Sequence, residues 1–202
     1  MTVKVKICGV TRVQDAEAAV QLGADMVGLN FHAPSPRCVT LQRAREIRDA
    51  IGGRAKLVGV FVNAARDFIE ERIAVLKLDL IQFHGDEDES ALAGWPVPVI
   101  RALRLPASEH LDAIKHTRAD FVLLDTFDSK LYGGTGHARP LADLNGCDLS
   151  RAFISGGLNA VNVAAAAALH PYAVDAASGV ESQPGIKDRG KLRSFIRNAK
   201  SA

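Results

Sequence analysis

The sequence predicts an α/β chain folded as a closed, eight-stranded parallel (β/α)8 TIM barrel with short loops. A single domain spans residues 1–202. Three observations lead there. Eight short apolar runs recur along the chain, each followed by a helix-like stretch. The runs are continuously apolar rather than alternating, as in a parallel sheet buried on both faces. Eight such units favour a closed barrel over an open doubly wound sheet, and about 200 residues is the lower limit for that barrel. The third observation is an internal repeat. Ala24-Asp25-Met26-Val27-Gly28-Leu29-Asn30, Leu78-Asp79-Leu80-Ile81-Gln82-Phe83-His84 and Ala119-Asp120-Phe121-Val122-Leu123-Leu124-Asp125 share one pattern. Each sets an aspartate before an apolar strand and a polar residue at its end, on the second, fourth and sixth strands. Asn30, His84 and Asp125 thereby become equivalent positions on one rim.

Taken in order, strands are predicted over residues 3–8, 26–31, 57–62, 80–84, 97–103, 121–126, 152–155 and 173–177. Helical periodicity is predicted over 15–22, 41–51, 65–76, 87–93, 108–116, 159–169 and 187–199. Residues 140–149 hold a short helix at most. The alanine run 164–168 reads as helix propensity rather than as a tail. No linker or low-complexity segment divides the chain.

Composition narrows the function classes. The chain is 48% hydrophobic and 24% charged, enough to bury a sizeable core. A net charge of +2, with both signs mixed along the chain, argues against a nucleic-acid partner. Lys4 and Lys6 interrupt the first apolar run, so no signal-peptide pattern is read there. No stretch approaches the roughly 20 apolar residues of a membrane span. Cys8, Cys38 and Cys147 form no CxxC pair and are odd in number. A disulfide framework or structural zinc site is not expected, and the cytoplasm is the expected compartment. The six histidines show no metal spacing. No HExxH, GxSxG, Walker loop or GxGxxG is present.

The candidate chemistry gathers at strand ends. Cys8 closes the first strand just before Gly9, where basic groups and helix N-termini would lower its pKa and favour a thiolate. Lys6 shares the parity of Cys8, and an inward lysine needs a partner. Asp125 closes the sixth strand, where a partly desolvated carboxyl can act as a general acid. Arg37 ends a loop stiffened by Pro34 and Pro36, and its fork suits a carboxylate or phosphate. His84 ends the fourth strand, placed to contact substrate; the other histidines read as surface or structural. Trp95, the one tryptophan, reads as packing. Gly156-Gly157 and Ser178-Gly179 follow the seventh and eighth strands, where many barrels hold phosphate on backbone N–H groups. A third glycine-rich stretch is Gly133-Gly134-Thr135-Gly136.

Taken together, these motifs resemble the phosphoribosylanthranilate isomerase family of tryptophan biosynthesis. Lys6-Ile7-Cys8-Gly9-Val10-Thr11 resembles the family's opening motif, and Ser35-Pro36-Arg37 its second-strand loop. Val58-Gly59-Val60-Phe61-Val62-Asn63 resembles its third strand, and Gln82-Phe83-His84-Gly85 its fourth. Gly133-Gly134-Thr135-Gly136, Ile154-Ser155-Gly156-Gly157-Leu158 and residues 174–181 follow in the family's order, with Pro184-Gly185 and Lys187-Asp188 completing the last motif. The resemblance implies an Amadori rearrangement with no metal or cofactor. It implies Asp125 as general acid and Cys8 as general base. Arg37 would face the anthranilate carboxylate, and Gly156, Gly157, Ser178 and Gly179 would hold phosphate. The expected partner is a small phosphosugar, with neither nucleic acid nor membrane, and the expected form a monomer or homodimer.

The sequence departs from the pattern in three places. Arg139-Pro140-Leu141 stands where an aromatic–aspartate–tryptophan run is usual. Ala177 replaces a common serine, and Ser155 a common alanine. Two other readings compete: another phosphosugar-binding barrel enzyme, and a non-catalytic phosphate-ligand sensor. An acid-base pair of lysine or paired carboxylates would suit the first, and decayed rim residues the second; the chain carries neither.

Overall fold

The computed structural model describes residues 2–103, 114, 116–125, 144 and 146–202. All eight predicted strands form: β1 (Lys4–Ile7), β2 (Met26–Asn30), β3 (Lys56–Phe61), β4 (Leu80–Phe83), β5 (Val99–Leu103), β6 (Phe121–Asp125), β7 (Ala152–Ser155) and β8 (Ala173–Ala176). They pair in chain order and in parallel, and β8 returns to β1, closing the barrel. The described helices are α1 (Val13–Gln21), α2 (Leu41–Ile51), α3 (Arg66–Leu76), α4 (Val163–Ala167) and α5 (Arg189–Lys200). Two of them start at side-chain caps. Thr40 accepts from the Arg43 N–H, and Asp188 from the Lys191 N–H, each supplying an acceptor for an orphan first-turn donor. Among the described residues no helix is long and apolar enough to cross a membrane.

Strand alternation builds two separate apolar layers. Outward residues of the strands pack against the helices in one large cluster, with Ile47, Leu76, Phe195 and Val27 fully or almost fully buried. Inward residues Met26, Val58, Leu80, Ile100, Ala102, Leu123, Phe153 and Ala173 form a plug inside the barrel. Tyr172 and Phe121 pack beside it, their ring centroids 4.4 Å apart. Above the plug the buried side chains turn polar: Lys6, Gln82 and Asp175. The apolar filling therefore occupies the N-terminal end of the barrel, and the polar groups lie towards the C-terminal rim.

The internal repeat has a physical meaning. The Asp25 carboxylate accepts the backbone N–H of Val5 at 2.7 Å, Asp79 that of Leu57 at 2.8 Å, and Asp120 that of Val99 at 2.8 Å. Each aspartate before an even-numbered strand thus ties down the start of the preceding odd-numbered strand. At the fourth equivalent position stands Tyr172, whose ring joins the aromatic packing with Phe121 and Phe153 instead.

The structure corrects the sequence reading in two described regions. Residues 87–93 form turns, not a helix. Their acidic side chains bind backbone N–H groups instead: Glu87 those of Asn63 and Gly85, Asp88 those of Ser90 and Ala91. Such local bonds compete with helix formation. The second correction is an antiparallel hairpin after β8, β9 (Glu181–Gln183) and β10 (Ile186–Lys187), where helix was read from residue 187. Trp95 packs as expected, against Phe83, with its indole N–H on the Ala91 carbonyl at 2.8 Å. Residues 108–113, 115, 126, 140–143 and 145 of the predicted elements lie outside the described residues. Gly133-Gly134-Thr135-Gly136 and Arg139-Pro140-Leu141 lie there as well.

If the aspartate ties carry strand register, Asp79→Ala lowers stability by about 1.5 kcal/mol, the lower end for a bond to a charged group because Asp79 is solvent-exposed. Urea unfolding measures it, and Asp79→Asn, which keeps an acceptor, should lose less.

Candidate active site

At the C-terminal ends of the strands the barrel opens into a cavity of about 870 Å³, within the size range of small-molecule sites. The period-two alternation of the strands delivers Cys8, Asn30, His84, Asp125 and Ser155 to this mouth. Arg37 reaches it from the loop after β2, and Gly156, Gly157, Ser178 and Gly179 from the loops after β7 and β8. Cys8, Arg37, His84, Asp125 and the four loop residues thus line one cavity. Cys8 and Asp125 enter from strands three steps apart around the ring.

The floor is ionic. Lys6, fully buried, donates to Asp175 Oδ1 at 2.8 Å. Ser155 Oγ donates to the other oxygen of that carboxylate at 3.0 Å. The inward lysine has therefore found the partner it needs. Burial works against the Lys6 charge, yet the attraction of Asp175, helped by Cys8, raises its pKa above the ordinary value. Cys8 differs from the sequence expectation: burial pushes its thiol up, against the pull of the Lys6 and Lys187 cations. Gly28 on the neighbouring strand leaves room for it, since a Cβ there would come within 3.0 Å of Cys8 Sγ. Across the mouth, Gln82 Nε2 lies 2.9 Å from His84 Nδ1, fixing the ring of His84.

A second ionic knot braces the rim. Arg37 grips Glu181 with two parallel bonds, Nε at 2.9 Å and Nη2 at 2.7 Å. Lys187 Nζ donates to Glu181 Oε1 at 2.8 Å, to the Cys8 carbonyl at 2.6 Å and to the Ala177 carbonyl at 3.1 Å. One buried ammonium thus fastens the ends of β1 and β8 to the β9–β10 hairpin. Burial disfavours the Glu181 carboxylate, but Arg37 and Lys187 outweigh it and hold the carboxyl below its usual range.

The two glycine loops touch each other. A Cβ at Gly179 would collide with the Leu158 carbonyl, so the loop after β8 packs against the loop after β7 only with glycine there. Gly156 and Gly157 both take left-handed φ angles, 88° and 68°. The backbone of both loops is thereby brought to one side of the cavity.

Several residues that line the cavity or brace its rim do not stand out in the sequence. Glu181 and Lys187 brace the rim from behind the cavity, and the ties that reveal this, to Arg37 and to the Cys8 carbonyl, span 144 and 179 residues of chain. Gln82 lines the cavity beside His84. His32, read as surface or structural, lines the mouth. The odd-even alternation that found Lys6 would also have flagged Gln82, two residues before His84.

The Glu181 knot sets a pH dependence. Because the folded carboxyl is depressed, its stabilisation is complete above the ordinary glutamate value of about 4.3 and fades as pH falls through the folded value. Glu181→Gln should therefore cost stability at neutral pH, with the gap to wild type narrowing below about pH 4. Urea unfolding at a series of pH values reads it, and a gap that does not narrow contradicts the assignment.

Comparison with known proteins bears on this arrangement. The family model described as N-(5'phosphoribosyl)anthranilate (PRA) isomerase matches residues 5–198. An N-(5'-phosphoribosyl)anthranilate isomerase from Pseudomonas fluorescens strain Pf0-1 is 47% identical over 198 residues, covering 96% of this chain and 97% of the relative. The crystal structure of phosphoribosyl anthranilate isomerase from Thermotoga maritima superposes with a TM-score of 0.84 at 32% identity, covering 99% of this chain and all of the other. A structure of such an isomerase in complex with reduced 1-(o-carboxyphenylamino)-1-deoxyribulose 5-phosphate gives a TM-score of 0.81 at 33% identity, with 99% and 100% coverage. The chain belongs to the N-(5'-phosphoribosyl)anthranilate isomerase family.

Proposed function

We propose that this barrel catalyses the Amadori rearrangement of N-(5-phospho-β-D-ribosyl)anthranilate to 1-(2-carboxyphenylamino)-1-deoxy-D-ribulose 5-phosphate in L-tryptophan biosynthesis, with Asp125 as general acid and Cys8 as general base. The observation that carries this reading is one cavity shared by a carboxyl and a thiol from separate strands, rimmed by an arginine and two glycine loops. The protein acts as one domain, in the cytoplasm, as a monomer or homodimer. Its partner is a small phosphorylated sugar, with neither nucleic acid nor membrane.

The roles follow from the chemistry. Protonated Asp125 gives its proton to the ribose ring oxygen, the bond from that oxygen to C1 breaks, and the nitrogen lone pair forms a C1=N iminium. The Cys8 thiolate then removes the proton from C2. The freed electron pair becomes the C1=C2 bond and neutralises the nitrogen, giving an enolamine. Protonation at C1 and loss of the C2 hydroxyl proton give the ketone. No group leaves, and C2 is oxidised as C1 is reduced within the same molecule, so no external oxidant or reductant is needed and an acid and a base suffice. Burial keeps Cys8 largely a thiol, so the small thiolate fraction is the reactive form, and cations that favour it matter.

Substrate charge matches the rim. The phosphate sits on the N–H groups of the Gly156-Gly157 and Ser178-Gly179 loops. The anthranilate carboxylate lies near Arg37, whose position Glu181 already fixes. His84, steadied by Gln82, contacts the substrate from β4. These grips hold C1 and C2 between acid and base, which converts positioning into rate.

The test is turnover of freshly generated phosphoribosylanthranilate, followed by loss of its fluorescence. Wild type should outrun spontaneous decay, and Cys8→Ala and Asp125→Asn should each slow kcat by roughly 100- to 10,000-fold. Wild-type decay no faster than the spontaneous rate sinks the reading and favours a phosphate-ligand sensor or another phosphosugar.

A further inference from the structure

A fully buried lysine inside a barrel is costly, and its pairing with Asp175 explains how it is tolerated, not why it is there. Lys6 lies two residues before Cys8 on β1, so both side chains enter the barrel on the same line. Asp175 is the register partner of Lys6 on β8. Both oxygens of its carboxylate are engaged, one by Lys6 at 2.8 Å and the other by the Ser155 hydroxyl at 3.0 Å. A carboxylate so fixed holds the ammonium in one place, on the same inward-facing line of β1 as the Cys8 side chain, where the two attract each other.

We propose that Lys6 is a positioning residue for the reaction: anchored by Asp175 and Ser155, its ammonium is the counter-ion of the Cys8 thiolate. This rests on the reading of Cys8 as the general base. The charged groups facing Cys8 from each neighbouring element support it. Its own strand supplies Lys6, β8 supplies Asp175, the hairpin supplies Lys187, and the loop after β2 supplies Arg37. Lys187 and Arg37 both share Glu181. Three cations therefore stand against two carboxylates, and the excess positive charge works against the burial that disfavours a thiolate at Cys8. Lys187 spends its N–H groups on two backbone carbonyls and Glu181, and Arg37 binds Glu181 with two of its own. Lys6 is bound to a single carboxylate oxygen, which leaves its ammonium with N–H groups to offer to an anion beside it. Ser155, where the sequence departs from the family pattern, is part of the anchor through its bond to Asp175.

The experiment is the pH dependence of Cys8 alkylation by iodoacetamide, quantified by mass spectrometry on the Cys8-containing peptide so that Cys38 and Cys147 do not interfere. Only the thiolate reacts, so the midpoint of the rate profile reports its formation. Lys6→Met should raise that midpoint by about 1–3 pH units, the effect of losing a neighbouring opposite charge. Because this variant strands a buried carboxylate and can fail to fold, Lys6→Met/Asp175→Leu removes both charges together. It should shift the midpoint in the same direction by less, since the repulsion from Asp175 is lost too. An unchanged midpoint in the folded double variant overturns the proposal. Turnover read beside alkylation separates the two claims: kcat/KM of the variants should fall at neutral pH and recover as pH rises, in step with alkylation. If alkylation shifts and the turnover profile does not, the Lys6–Cys8 coupling stands and the assignment of Cys8 as base falls.

Discussion

Closure of the sheet at the β1–β8 seam is the constraint on which the rest of the structure depends. Lys4, Val5, Lys6 and Ile7 pair there with Ala173, Val174, Asp175 and Ala176. The seam brings the first and last strands together, 169 residues apart in the chain between Lys6 and Asp175. Once closed, the barrel has no free edge, and every strand ends on the same rim. The apolar plug fills one end, so the cavity forms at the other. The buried Lys6–Asp175 pair sits on the seam itself, so the bond that seals the barrel also lies under the thiol.

The rim is held by side chains as much as by backbone. Lys187 joins the ends of β1 and β8 through their carbonyls, and Glu181 joins that ammonium to Arg37. The consequence is a pre-set arginine: its fork is fixed before any ligand arrives, which lowers the ordering cost of binding. Gly179 and Leu158 impose the same logic on the other side, where two loops meet backbone to backbone. A site built this way draws its precision from contacts outside the reacting groups.

Much of this was legible in the sequence because the signals were local. Continuous apolar runs announced all eight strands, and the ends of those runs announced Cys8, His84 and Asp125. The aspartate repeat was visible as a pattern, though its reason, a tie to the preceding strand, needed the partner N–H groups to be seen. What stayed hidden was non-local or competitive. Glu181 finds Arg37 across 144 residues, and nothing in a short window foretells that. The helix read over residues 87–93 lost to side chains that bind backbone nearby, a competition that periodicity cannot register. The nearby cations do pull the Cys8 thiol down as their number in the sequence suggests, but burial in the closed barrel, invisible to such a count, pushes it up more.

The central claim is that one ligand bridges the two glycine loops, the arginine, the thiol and the carboxyl at the same time. The most direct measurement is a crystal structure of this protein with a stable reduced analogue of the rearranged product. The predicted result places the phosphate on the Gly156-Gly157 and Ser178-Gly179 backbone, the aryl carboxylate at Arg37, and C2 within about 3–3.5 Å of the Cys8 sulfur, with Asp125 on the opposite side of the sugar chain. A phosphate bound elsewhere in the mouth, or a sugar chain that leaves Cys8 and Asp125 on the same side, would contradict it.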